Sequence, residues 1–319
     1  MDTLNQFKCK ICDNTKDNKW LKIKEMHFGT FVEYNYFECA VCKCIQIVNV
    51  PEDMNKHYPN NYYSYSFPSK SKNLFIKKIT LVIKSRLVKY YSGKFNAIGF
   101  FLSMFYNNPF PWLLKDMANL NAKILDVGAG AGRLLHSMQR SGFKKLTGID
   151  PFIEKDLNYG NGVQILKRDL FQIEDKFDFI MLHHSFEHMD RPFEIFKKLY
   201  DLLTEDGIIL IRIPVTGGYA WRKYREYWVQ LDAPRHFFIH SVKSMQILSS
   251  CTGLQIVDIK NDSSTLQFTG SEKYLRGIPL MSEDLMFTNK QMKLFYKESV
   301  RLNKIMDGDA ACFYLKKQF

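Results

Sequence analysis

The segment Ile124-Leu125-Asp126-Val127-Gly128-Ala129-Gly130-Ala131-Gly132-Arg133-Leu134-Leu135 constrains this chain more than any other. An apolar run ends on an acid, three alternate glycines follow, and an apolar helix begins: a strand, a tight turn and a helix N-terminus. Gly128, Gly130 and Gly132 let the backbone approach a ligand with no Cβ in the way. Asp126 narrows the choice of ligand. A carboxylate beside the turn repels a pyrophosphate and suits a cofactor whose near end carries an ammonium and a sulfonium. The Gly-x-Gly-x-Gly spacing also differs from the Gly-x-Gly-x-x-Gly of dinucleotide sites.

Further strands follow in the same rhythm. Lys145 to Ile149 ends at Asp150, placed to accept from both hydroxyls of a ribose. Val163 to Lys167 ends in Arg168-Asp169-Leu170, with Asp169 placed to accept from an adenine amino group. Phe177 to Leu182 is apolar throughout, as a parallel strand buried on both faces should be, and His183 stands at its tip. Each acid alone is more often a solvated turn residue or helix cap; together with the glycine turn they line one sheet edge. The pattern resembles the class I S-adenosylmethionine-dependent methyltransferases. That resemblance implies a Rossmann-like doubly wound α/β sheet with an antiparallel last strand. It also implies a cofactor set of Asp126, Gly128, Gly130, Gly132, Asp150, Asp169, Leu170 and His183.

Cys9-x-x-Cys12 and Cys39-x-x-Cys42 read as a zinc ribbon, four thiolates presented by paired turns around a structural Zn2+. Two disulfides are the other reading of these cysteines. The N-terminus is polar and shows no secretory signal pattern, which favours reduced thiols and a cytoplasmic location. The expected organisation is a zinc ribbon over 1–50, an aromatic connector and basic helical region over 51–117, and the methyltransferase domain over 118–319. Substrate-loop insertions are expected at 214–240 and 261–310, the second holding a long helix near Leu285 to Met306.

The net charge of +12 is uneven. From Met54 to Lys115 there is no acid, and there are ten lysines and arginines. Ile76, Ile79, Ile83, Leu87 and Tyr90 recur at helical spacing within it. Phe95 to Leu114 then carries no charge but holds Asn96, Asn107, Asn108, Pro109 and Pro111, which argues against a membrane span. These segments are read either as the first helices over the cofactor fold or as a basic surface resting on an anionic membrane face.

Two clusters can carry chemistry. His183, His184, Glu187 and His188 adjoin the fourth strand, and Asp232, Arg235 and His236 lie in a long loop between Pro214 and His240. A hydroxyl acceptor must lose its proton as a methyl arrives, which calls for a histidine or carboxylate base. Glu187 and His188 are the favoured pair, with His236 and His184 as further candidates. Asp232, Arg235, Tyr62 and Tyr63 are the candidate substrate contacts, although Arg235 can equally pair with Asp232 and only hold the loop.

The order of ribbon, Tyr58-Pro59-Asn60-Asn61-Tyr62-Tyr63 connector, Ser-Phe-Glu-His-Met and Leu-Asp-Ala-Pro-Arg-His is similar to the methyltransferases of bacterial surface-polysaccharide and deoxysugar pathways. Nucleotide-sugar C-methyltransferases of that group pair a glutamate and a histidine at the place matched by Glu187 and His188. They have a tyrosine where this chain has Ser185, and a further C-terminal domain. The resemblance implies O-methylation of a nucleotide- or lipid-linked sugar, with C-methylation as an alternative. An RNA methyltransferase is the other alternative. Against it, no Asn/Asp-Pro-Pro-aromatic motif follows the fourth strand, and arginines and aromatics do not interleave on one face.

Overall fold

The computed structural model describes residues 8–58, 74–91, 96–113, 120–159, 162–283 and 287–318. Its strands are β1 (Lys19–Lys24), β2 (Glu33–Glu38), β3 (Ile45–Ile47), β4 (Lys123–Val127), β5 (Lys145–Ile149), β6 (Leu157–Asn158), β7 (Val163–Leu166), β8 (Phe177–His183), β9 (Leu203–Pro214), β10 (Phe238–Ile239), β11 (Leu254–Asn261) and β12 (Ala310–Lys317). The chain forms two compact units. One holds Asn60–His183 and Lys198–Leu210, and the other holds Met1–Pro59, His184–Lys197 and Ile211–Gln318. The helix Pro192–Leu202 and strand β9 run from one unit into the other.

The first unit contains the glycine turn. Strands β8, β4, β5 and β7 are parallel neighbours in that order, and the short β6 closes the edge antiparallel to β7. Ile124, Leu125, Phe179, Ile180, Met181 and Leu182 are fully buried, so continuous apolar runs rather than alternation mark these strands. The helix Arg133–Arg140 connects β4 to β5 and buries Leu135 and Met138. The basic region forms the helix Leu74–Tyr91, and the charge-free stretch forms a short helix, Ala97–Ser103. Asn96 caps that short helix by accepting the N–H of Gly99. Ile98, Phe101, Met104 and Phe105 stay exposed around it. No helix among the described residues is long and apolar enough to cross a membrane.

In the second unit, β1, β2 and β3 form an antiparallel sheet behind the cysteines, and β10, from the 214–240 loop, adds a fourth strand to it. Residues 8–58 therefore share a sheet with a segment almost two hundred residues further on. Tyr36, fully buried, donates its hydroxyl hydrogen to the His236 carbonyl at 2.9 Å and fixes the same junction. The chain ends as expected: β12 lies antiparallel to β11, with Ile259 opposite Phe313. Between them the helix Asn289–Lys304 begins at a capping box of Thr288 and Gln291.

Candidate active site

Each unit holds its own group of candidate residues. In the first, the turn after β4 has Gly128, Gly130 and Gly132 at φ 81°, 52° and 77°, backbone that side chains with a Cβ adopt only under strain. A Cβ on Gly132 would also stand 2.6 Å from Ile165 Cδ1. Asp150, at the end of β5, accepts the Gly130 N–H at 2.9 Å through Oδ2 and the Phe152 N–H at 2.9 Å through Oδ1. Each oxygen has a second lone pair, so the carboxylate can still accept from a ligand. Asp126 is almost fully buried, and that burial, followed by the nearby Asp150 charge, pushes its carboxyl up to about 7. A buried acid with so strained a charge fits an ammonium or sulfonium ligand, which would supply the missing counter-charge.

Asp169 is exposed and caps the 3-10 turn Leu170–Gln172, its Oδ1 accepting from Phe171 and Gln172. Oδ2 lies outside those cap bonds, and Leu170 is buried beneath. His183, half-buried at the tip of β8, meets Trp112 edge-on at 4.6 Å, and Trp112 in turn lies parallel to Phe179. The sequence reading missed Trp112, since nothing in an uncharged aromatic stretch distinguishes one ring from its neighbours. It also missed Tyr159, whose hydroxyl donates to the Ala131 carbonyl at 3.1 Å and so braces the end of the glycine turn.

In the second unit, the four predicted cysteines converge. Cys9 and Cys42 Sγ are 3.5 Å apart, Cys12 and Cys39 Sγ are 3.5 Å apart, and all four sulfurs lie within 4.8 Å of one another. Disulfides need about 2.05 Å, so the pairs are not bonded. Gln46 donates to Cys9 Sγ at 2.8 Å, and the Ile11 and Cys42 amides point at Cys9 and Cys39 sulfurs. The Cys42 thiol beside it brings Cys9 down to about 5. Donors aimed at clustered sulfurs suit thiolates, the form that binds a tetrahedral metal. The cluster fits a zinc-ribbon-like module. Cys44 is buried beside it and lies outside the group of four.

The same unit brings the two candidate clusters together. Glu187 is fully buried, with His184 Nδ1 at 3.5 Å and His236 Nε2 at 4.0 Å from Oε1. His188 donates Nδ1–H to the Arg235 carbonyl at 2.8 Å, and Tyr58 Oη lies 3.2 Å from the same nitrogen. His236 donates Nδ1–H to the Gln230 carbonyl at 2.7 Å. The two imidazoles meet edge to face at 4.8 Å, and a ligand atom of each lies within 4.8 Å of a Glu187 oxygen, Nε2 of His236 at 4.0 Å. Burial pushes the Glu187 carboxyl up, but His184, His188 and His236 outweigh it and bring it down to about 2. Burial, then the charge of His188, lowers His236 to about 4, so at neutral pH it is an uncharged imidazole.

Arg235 is fully buried. Its guanidinium donates to Asp232 at 3.0 Å, to Glu25 at 3.3 Å and to the His57 carbonyl, and lies over the Phe28 ring. In this arrangement it holds the loop, the second of the two roles the sequence allowed. Asp232 also accepts from His27 Nδ1 at 3.1 Å. Burial would raise Asp232, but Arg235 and His27 hold it well below the usual carboxylate range. Glu25 and His27 come from the cysteine-bearing segment, and no local motif marked them. Tyr62 and Tyr63 lie outside the described residues.

Residues 105–259 match the family model described as a methyltransferase domain. That segment, just under half of the chain, carries the glycine turn, Glu187–His188 and the Asp232–His236 loop, and gives the chain a methyltransferase domain. No curated protein matches the chain. Among solved structures, the chain is similar to a cyclopropane synthase from Mycobacterium tuberculosis, at 17% identity over 62% of this chain and 78% of that one, with a TM-score of 0.40. It is similar to the O-methyltransferase of a trans-AT PKS multienzyme of Brevibacillus brevis in complex with S-adenosyl-L-homocysteine, at 16% identity over 62% and 67%, with a TM-score of 0.37. A mitomycin 7-O-methyltransferase is 11% identical over 76% of this chain and 55% of that one, with a TM-score of 0.40. At these values the likenesses say nothing of substrate.

Proposed function

We propose that this protein methylates a hydroxyl of a sugar in a nucleotide- or lipid-linked glycan precursor, with S-adenosylmethionine as donor and a structural Zn2+ on Cys9, Cys12, Cys39 and Cys42. The observation that carries the reading is the convergence of Glu187, His188 and His236 in a fold whose other unit presents a glycine turn between two buried acids. When bound, S-adenosylmethionine supplies the methyl group on a sulfonium that departs as a neutral thioether. Asp126 would face the cofactor's cationic end, Asp150 its ribose and Asp169 its adenine. The glycine turn leaves room for the cofactor backbone to backbone. The Glu187–His188–His236 cluster would take the proton that the acceptor hydroxyl loses on methylation. His188 is the favoured acceptor: its Nδ1–H is anchored on the Arg235 carbonyl, and Glu187 stabilises the imidazolium.

A sugar acceptor is supported by the histidine-rich cluster around Glu187 and by the motif order described from sequence. The acid-free basic region and the exposed apolar residues Ile98, Phe101 and Phe105 support contact with an anionic membrane or a diphosphate group. Mass spectrometry of cell-surface glycans with and without the protein tests the reading. The expected result is loss of one methylene mass from one sugar. Unchanged glycans together with an undermethylated RNA would replace it with the RNA-modifying alternative.

A further inference from the structure

We infer that Glu187, His188 and His236 form a second metal site, for a divalent transition cation, distinct from the four cysteines. The three ligand atoms lie within 4.8 Å of one another. Bonds of about 2.1 Å around a tetrahedral ion put ligands about 3.4 Å apart, so modest side-chain rotation closes the site.

The imidazoles are already oriented for it. His188 and His236 each place Nδ1–H on a backbone carbonyl, of Arg235 at 2.8 Å and of Gln230 at 2.7 Å. Each is thereby fixed in the tautomer with a bare lone pair on Nε2. A ring nitrogen held on a carbonyl, opposite a bare one, is how proteins hold histidine for a metal.

Glu187 supplies an independent observation. It is fully buried, and neither carboxylate oxygen has a hydrogen-bond partner among the described residues. A buried carboxylate ordinarily has such partners, because desolvation without them is costly. His184 Nδ1, at 3.5 Å from Oε1, is a donor only at the limit of hydrogen-bond distance. A divalent ion between Oε1 and the two Nε2 atoms satisfies all three groups at once. Asp232, with Oδ2 at 3.8 Å from His236 Nε2, is committed to Arg235 and His27, so it stands behind the ligands rather than among them.

Two imidazoles and one carboxylate, with no thiolate, suit Zn2+ or Fe2+ rather than Ca2+ or Mg2+, and leave coordination positions open. An acceptor hydroxyl in an open position would be acidified by the ion and give its proton to water, His188 and His236 then acting as ligands in place of the proton acceptor described above. This consequence rests on the reading of the cluster as the place where the acceptor loses its proton; the site itself rests on geometry alone.

Metal content and visible absorption of the purified protein, saturated with Co2+ and then desalted, test the inference. Wild-type protein should hold a second equivalent of metal beyond the thiolate site, and Co2+ there should show no sulfur-to-metal charge transfer. Glu187→Gln and His236→Gln should each weaken that second equivalent by at least about a hundredfold, while the thiolate-bound metal and the thermal melt stay as in wild type. Uptake confined to the thiolate site in wild type would overturn the site. So would a second equivalent that persists in both variants. In either case methyl transfer lost in His188→Ala would show that the methyltransferase reading stands without the cation.

Discussion

The Asp150 carboxylate accepts the backbone N–H of Gly130 at 2.9 Å, so the acid at the end of β5 and the glycine turn after β4 are one unit. Asp150 orders the turn through Gly130 and Phe152, and its remaining lone pairs can still accept from a ligand. Asp150→Ala should therefore weaken S-adenosylmethionine binding by tenfold or more. Each charge-assisted hydrogen bond contributes about 1.5–3 kcal/mol. Asp150→Asn keeps one acceptor oxygen and should fall between. Calorimetry showing wild-type affinity in the alanine variant would place the ribose elsewhere.

Asp126 predicts a pH dependence. Its carboxyl is raised to about 7 by burial and by Asp150, whereas an unfolded aspartate titrates near 3.9. The folded protein thus binds more protons than the unfolded chain between about pH 4 and 7, so this residue's contribution to stability declines as pH rises through that window. A cationic ligand favours the ionised form, so cofactor binding near pH 7 should release a fraction of a proton and tighten as pH rises. Calorimetry in two buffers of different ionisation enthalpy measures that release. Asp126→Asn should abolish it, raise the melting temperature of the ligand-free protein at pH 8, and weaken the cofactor.

Arg235→Met would leave Asp232 and Glu25 as buried carboxylates without their common partner. Breaking such a pair costs about 3–5 kcal/mol. The melt of the unit carrying the cysteines should drop accordingly, with cofactor affinity unchanged. A melt within a degree of wild type would show that Arg235 is dispensable to the loop.

The cysteine cluster and the histidine cluster share a sheet through β3 and β10 and an anchor through Tyr36 and His236. Zinc is expected at one ion on the four cysteines. Its removal with a strong chelator should disorder β1 to β3 and, with them, the Asp232–His236 loop. Methyl transfer should then be lost while S-adenosylmethionine still binds. Full activity in chelated protein shown to be free of metal would separate the two clusters.

His188→Ala should lower turnover by roughly 10²–10⁴ with cofactor affinity nearly intact, the usual range for a lost proton-transfer group. His236→Ala should have a similar effect if the two rings work as one unit. If His188→Ala keeps full activity and His236→Ala abolishes it, the proton goes to His236. If neither variant matters, the acceptor is an amine that needs only alignment.

Local pattern determined a good deal of this protein. A strand, a glycine turn and a helix follow from residues within a dozen positions of one another, because positive φ and apolar periodicity are local properties. The parallel strands β4, β5, β7 and β8, the antiparallel β11 and β12, and the two Cys-x-x-Cys knuckles were legible for that reason. What tertiary structure decided was which distant groups meet. Glu25 and His27 reach Asp232 and Arg235 across two hundred residues, β10 completes the sheet of the cysteine segment, and His188 and His236 meet beside one buried glutamate. Such partnerships depend on long-range packing and on which carbonyl each imidazole finds, and no spacing along the chain encodes either.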